Sequence, residues 1–322
     1  MAFIGASIGL SFSVALVLGP WLSSIGGLSL IFTLTGVLAL GGIAVTLLLI
    51  PSPPKTHHRD SVAVLSEVRL QLANGSLWPL NIGVFVLHAL MVAIFVAIPL
   101  QLTQLDLPAE HHSYLYLPVL LLAFALMVPL IIIAEKRRQM KNVVLIAATL
   151  ILIALLLMTQ AATLWQWAGL MLLYFLGFNL MEASLPSWLS KIAPAGAKGS
   201  AMGIYSSMQF LGAFAGGSIG GWVLSHWGAS SVFAIFAAAV LLWGLLMVAT
   251  PPPRHLTSVR LALLQPLTQY QHRALLALSG VAELTELPEE QAVYLKVTAS
   301  EFDQELAQAI THTTGESYGS QR

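Results

Sequence analysis

Every lysine and arginine in the first 254 residues falls in an alternate gap between long apolar runs. They are Lys55, Arg59 and Arg69, then Lys136, Arg137, Arg138 and Lys141, then Lys191 and Lys198, and finally Arg254. The intervening gaps hold none. Membrane proteins keep their basic residues in cytoplasmic loops. The pattern therefore predicts a multi-span membrane protein with an even number of spans and both termini on the cytoplasmic side.

Composition agrees with that reading. Apolar residues make up 57% of the chain and charged residues only 9%, where a soluble domain carries roughly a quarter charged. The absence of cysteine excludes disulfides, thiolate zinc sites, iron–sulfur clusters and cysteine nucleophiles together. After residue 254, eight acids (Glu283, Glu286, Glu289, Glu290, Glu301, Asp303, Glu305, Glu316) face four bases (Arg260, Arg273, Lys296, Arg322). A mildly acidic segment argues against nucleic acid as a partner.

A hydrocarbon core ~30 Å thick needs about 20 residues of helix. Eight segments qualify, near 2–19, 28–50, 77–100, 113–134, 142–160, 164–187, 201–224 and 229–249. The linker 51–76 opens with Pro51, Pro53 and Pro54. From Asp60 to Leu72 it places Val64, Leu65, Val68 and Leu72 at helical spacing, predicting a helix along the inner membrane surface. Two spans precede this linker and six follow, up to 251-PPPRH-255, where three prolines cannot continue a helix. The expected organisation is a helical pair at 1–50, the linker, a six-helix half at 77–250, a small cytoplasmic module at 254–315 and a tail at 316–322.

In the module, Val259, Leu261 and Leu263 alternate as a strand does. Pro266 opens a helical stretch with Leu267, Tyr270, Ala274 and Leu278 on one face, and Gly280 closes it. Leu284–Leu287 and Ala292–Val297 read as strands joined around Pro288, Glu289 and Glu290. Ser300 with Asp303 marks a capped helix carrying Phe302, Leu306 and Ile310 on one side. The β-α-β-β-α order fits a ferredoxin-like α+β pattern without its last strand. Met1 stands directly against an apolar run, with no positive region before it and no cleavage site, so no signal peptide is expected. The first helix reads as entered part-way.

The two-plus-six arrangement resembles the major facilitator superfamily of transporters, normally six plus six. The stretch 198-KGSAMGIYSSMQFLGAFAGGSIGGW-222 is similar to the family's eleventh helix. The stretch 2-AFIGASIGLSFSVALVLGP-20 is similar to its fifth, whose antiporter motif reads GxxxGPxxGG. Ala15, Gly19 and Pro20 fit that motif, Ser23 departs from it, and the double glycine is displaced to Gly26-Gly27. With the cytoplasmic module, the whole chain resembles the YajR subgroup of bacterial proton-coupled exporters. The resemblance implies an all-α bundle of eight helices, in which 1–50 matches the last two helices of the N-terminal half and 77–250 the complete C-terminal half. The family's first four helices have no counterpart in it, and 134-AEKRRQMK-141 is a degenerate cousin of their basic loop. It further implies a multi-pass protein of the bacterial inner membrane and drug/proton antiport.

Glu182 is the only acid inside a predicted span. Such a charge costs about 2.5–3.5 kcal/mol at a helix centre by insertion scales, so intramembrane acids are usually functional. Placed about 7 Å of helix from the inner end at Ser187, it could instead reach headgroups or Lys191. His88 lies midway along its span, can exchange a proton near neutrality, and competes with a reading as a hydrogen-bonded core histidine. The resemblance puts its helix beside the central cavity. Asn179 lies three residues before Glu182, with Phe175 and Phe178 on adjoining rows, a setting suited to an amphiphilic or aromatic substrate. Tyr205 and Gln209 form a similar pair on the next helix. Gly212, Gly216 and Gly220, like Gly217 and Gly221, recur at four-residue spacing and predict close helix packing. Gly19 and Pro20 join them through the motif.

The pairs His57-His58 and His111-His112 lack the further ligands a metal site needs, and read as solvated loop residues. No phosphate loop, nucleophile–base pair or dinucleotide fingerprint occurs, so neither an enzyme nor a cofactor is expected. The leading expectation is a secondary transporter exporting a small molecule against protons by alternating access. The alternative is a truncated, transport-incompetent protein, or one subunit of a split transporter, whose cytoplasmic module binds a ligand or partner.

Overall fold

The computed structural model describes residues 2–51, 65–194, 197–253, 256–263, 265–288, 291–298 and 300–312. The expected surface helix falls partly outside these, as does the pair His57-His58.

Backbone in lipid must satisfy its hydrogen bonds within its own segment, and the long apolar runs accordingly form helices. These are α1 (Ala2–Leu48), α2 (Leu65–Ala73), α3 (Trp78–Gln104), α4 (His112–Lys136), α5 (Met140–Met158), α6 (Leu164–Ile192), α7 (Lys198–Trp227) and α8 (Ala229–Ala249). α1 comprises two helical stretches meeting at Gly27, whose φ of 64° and ψ of −166° break the helix in one residue. Only glycine enters that region without steric cost, so the displaced double glycine marks a break in the helix between the first two expected spans.

Six segments among the described residues are long and apolar enough to cross a bilayer: Trp21–Leu48, Trp78–Gln104, Ala109–Lys136, Met140–Met158, Leu164–Ile192 and Ala229–Ala249. Of the eight expected spans, 2–19 and the one in α7 are not among these six, and for α7 this corrects the expectation that every span would stand out by apolarity. That helix is 30 residues long, but seven glycines with several serines and Gln209 dilute its hydropathy.

The chain divides into two compact units. The first comprises Met1–Lys55, Pro79–Ser187 and Tyr205–Pro252. Within it α5 packs along α8, and α1 packs against α4. Lys141, at the start of α5, donates to the carbonyls of Val248 (2.8 Å) and Thr250 (2.6 Å) at the end of α8. A cation there satisfies orphan carbonyls and complements the helix dipole. Trp243 of α8 lies over Gly83 of α3 and donates from Nε1 to the Pro79 carbonyl at 2.8 Å.

The second unit comprises Thr56–Trp78, Trp188–Ile204 and Pro253–Arg322. It contains β1 (Thr257–Ala262), α9 (Gln269–Leu276), β2 (Val281–Leu287), β3 (Ala292–Val297) and α10 (Gln304–His312). The three strands lie in the order β1-β3-β2, with both pairs antiparallel. That is the ferredoxin-like order without a fourth strand among the described residues. Leu261, Leu275, Val293, Leu295, Val297 and Ala307 form the core between sheet and helices.

Two local expectations shift. α9 begins three residues after Pro266, because Thr268 and Gln271 form a reciprocal capping box. Gln271 and Leu275 are buried and Tyr270 is exposed, while Leu267 and Leu278 of the expected face pack on the core. α10 is capped by Asp303, whose Oδ1 accepts from the Leu306 amide at 3.0 Å, rather than by Ser300.

Every residue of β3 is buried. Val293, Leu295 and Val297 face the helices, so Ala292, Tyr294 and Lys296 must be covered from the other side. Lys296 donates to the carbonyls of Ala193 and Lys191 (3.5 Å to the latter), at the C-terminal end of α6. Glu283, its cross-strand neighbour, lies 3.4 Å from its Nζ.

Candidate functional site

The site begins with a seam between α3 and α7. A Cβ at Gly216 would lie 2.5 Å from the Cα and carbonyl carbon of Ala89, inside van der Waals contact. One at Gly212 would lie 2.9 Å from the same atoms of Phe85, and one at Gly220 would lie 2.7 Å from the Ala93 Cβ. Glycines every four residues on α7 therefore meet Phe85, Ala89 and Ala93, spaced every four on α3, and the two backbones touch. Gly217 is in ordinary contact with Val92 at 3.4 Å, while Gly19 and Gly221 face open space, so the seam is narrower than the glycine pattern implied. The side chain of Pro20 lies outside the described residues.

The seam fixes two polar side chains against each other. His88 sits beside Ala89, and Gln209 one turn before Gly212. The amide nitrogen of Gln209 lies 2.7 Å from His88 Nε2. On the other side of the ring, Nδ1 lies 3.1 Å from the Val84 carbonyl. A carbonyl only accepts, so Nδ1 carries the hydrogen and Nε2 of the neutral ring is a bare acceptor. Gln209 must then be the donor. Glu182, arriving from α6, places Oε2 3.6 Å from the same Nε2. The imidazole is buried, whereas the Glu182 side chain is 41% exposed and opens the cluster on one side. Tyr205 of α7 is buried within electrostatic reach of Glu182.

Aromatic rings extend from this point in a continuous series. Phe178 meets His88 edge-on with centroids 6.0 Å apart, and Tyr174 lies 6.1 Å from Phe178. Tyr174 contacts Phe175 at 5.0 Å, Phe175 contacts Phe95 at 6.0 Å, and Phe95 stacks on Tyr116 at 5.9 Å. An imidazole and a carboxylate this close can hold or exchange one proton between them, with Phe178 packed on the buried imidazole and the carboxylate side of the pair partly open.

The Major Facilitator Superfamily model matches residues 1–217 and 183–284. The inner membrane transport protein YajR of Escherichia coli (strain K12) is 38% identical over 318 residues, which are 96% of this chain and 69% of that protein. The chain belongs to the major facilitator superfamily. Uncharacterized transporters of Buchnera aphidicola are also similar. That of subspecies Baizongia pistaciae is 24% identical over 76% of this chain and 63% of its own length. That of subspecies Acyrthosiphon pisum is 29% identical over 67% of this chain and 56% of its own.

In this superfamily chain the structure brings His88, Glu182, Gln209, Tyr205 and Phe178 into one cluster. Asn179 is half-buried one turn before Glu182. Phe175 and Tyr205 are only 2% and 3% exposed, so neither offers a free face to a ligand. His112 donates to the Leu107 carbonyl at 3.0 Å and His111 stacks on Tyr114. Among the described residues no three side chains of metal-ligating type converge. A cleft of about 440 Å³ lies elsewhere along the α3–α7 seam, lined by Val96, Leu100, Gln101, Leu224 and Ser225, and includes none of the cluster residues. Phe95, Tyr116 and Tyr174 were not singled out from the sequence. Tyr174 stands out there only in the run 174-YFLGF-178, and Phe95 and Tyr116 not at all, because an aromatic in an apolar span carries no mark of its partners.

Proposed function

We propose that the chain is a proton-coupled exporter of small, drug-like molecules that works by alternating access in the bacterial inner membrane. Both termini and the C-terminal module lie on the cytoplasmic side, a reading supported by the alternating basic gaps. Glu182 and His88 take up and release the coupling proton, and Phe178 and Asn179 lie where substrate would meet the cluster. The observation that carries this reading is the 3.6 Å approach of Glu182 Oε2 to His88 Nε2, an acid–base pair on two spanning helices. No metal, cofactor or nucleic acid takes part.

The test is ethidium-driven proton movement in proteoliposomes holding the purified chain and a pH-sensitive dye. Flux in the wild type that falls to background in Glu182→Gln, with the variant still folded, supports the coupling role. Unchanged flux in Glu182→Gln removes that role. A wild type without flux removes transport by this chain alone and returns the module's ligand or partner as the question.

A further inference from the structure

We propose that Gln209 is a positioning residue for His88, holding Nε2 ready for exchange with Glu182 by donating to it only while that nitrogen is bare. The proposal rests on the proton-exchange reading of the same cluster.

Because Nδ1 is committed to the Val84 carbonyl, all proton traffic at His88 passes through Nε2. Two groups compete for that atom: the Gln209 amide nitrogen at 2.7 Å and Glu182 Oε2 at 3.6 Å. In the neutral ring the shorter contact is a donor meeting an acceptor. Once Nε2 gains a proton, the same contact sets two donors against each other. The amide must then turn to present its oxygen or withdraw, while the new N–H is drawn to the Glu182 carboxylate. Gln209 and Glu182 thus favour opposite protonation states of one nitrogen.

The surroundings leave few other participants. α6 presents Glu182 and Phe178, α7 presents Gln209 and Tyr205, and α3 itself presents the Val84 carbonyl. Drawing the Gln209 backbone away from His88 would open the contact of Gly212 and Gly216 with Phe85 and Ala89. Turning the side chain changes the partner without disturbing that seam. Protonation of His88 is thereby converted into a reorientation on α7, the helix that shares the seam.

The experiment uses the full chain in nanodiscs with ¹⁵N-labelled histidine. His88 is assigned among the nine histidines by its loss in His88→Gln. Its Nε2 signal is followed against pH without substrate or gradient. Gln209→Met keeps the length and removes the donor, so the titration midpoint should rise. Gln209→Glu replaces the donor with an anion and should raise it further, by about one pH unit or more relative to the wild type. A structural role alone would leave the midpoint where it is, and equal midpoints in all three proteins overturn the proposal. Shifted midpoints without ethidium-driven flux would remove the transport reading and leave Gln209's role standing. Flux with unshifted midpoints would do the reverse.

Discussion

Replacing Gly216 with alanine should separate α3 from α7, and its size can be worked from the backbone. Nonbonded carbons rest about 3.5–4.0 Å apart, and the new Cβ would lie 2.5 Å from the Cα of Ala89. The helices must part by about 1 Å. The obstructing atoms are main chain, so no side chain can swing aside. Overpacking of this kind costs about 1–3 kcal/mol, and Gly216→Ala belongs at or above the upper end. An alanine in a helix also gains about 0.5–1 kcal/mol over glycine, which sets the baseline for the series. Gly221→Ala meets nothing within 4 Å and should therefore be neutral or slightly stabilising. Gly217→Ala, in 3.4 Å contact with Val92, should fall near it. Gly220→Ala, obstructed at 2.7 Å by the Ala93 Cβ, should be intermediate. Equilibrium unfolding of the purified proteins in mixed micelles ranks all four. Gly216→Ala proving as stable as Gly221→Ala would refute the backbone seam.

Four further outcomes follow from contacts elsewhere. Lys141→Met strips a charged donor from the last carbonyls of α8 and should cost about 1–2 kcal/mol in the same unfolding assay, most of it at low salt. Thr268→Ala should cost about 1 kcal/mol and speed hydrogen exchange across α9, starting at the Gln271 amide that Thr268 caps. Lys296→Met should speed exchange in β3 and in the turn after α6, because the Ala193 carbonyl loses its donor. Glu283→Gln should do far less, a few tenths of a kcal/mol, since that carboxylate is 37% exposed.

The parts of the fold dictated by solvent were open to reading in the chain. Hydrocarbon forces apolar runs into helices, and β3 was placed at Ala292–Val297 by the turn residues that precede it. Where two local signals competed, the weaker-looking one won: Pro266 advertises a helix start, but the Thr268–Gln271 box satisfies two backbone donors and sets the end. The glycines of α7 announced a close contact without telling which of two overlapping stripes, Gly212-Gly216-Gly220 or Gly217-Gly221, would meet α3. The cluster was half visible for a similar reason. His88 and Glu182 each stand out as polar atoms in lipid, yet a helical period says nothing about which residue of a distant helix lies opposite. Gln209 looked like a cavity-lining amide, and only its 2.7 Å contact with Nε2 gave it a partner.

The sheet covered on both faces bears on how the last part of the chain comes to rest. Its second cover, the turn after α6, leaves the ribosome roughly a hundred residues before β3, an interval read from their positions in the sequence. The module is thus the late arrival, closing over a surface already made. In a chain cut after Pro253, the contacts of Lys296 with the Ala193 and Lys191 carbonyls would still bridge the break, and Lys296→Met should weaken whatever association remains. The same grip makes the module a poor candidate for life as a separate soluble protein. Released, it would leave the Lys296 ammonium without the Ala193 and Lys191 carbonyls that satisfy it.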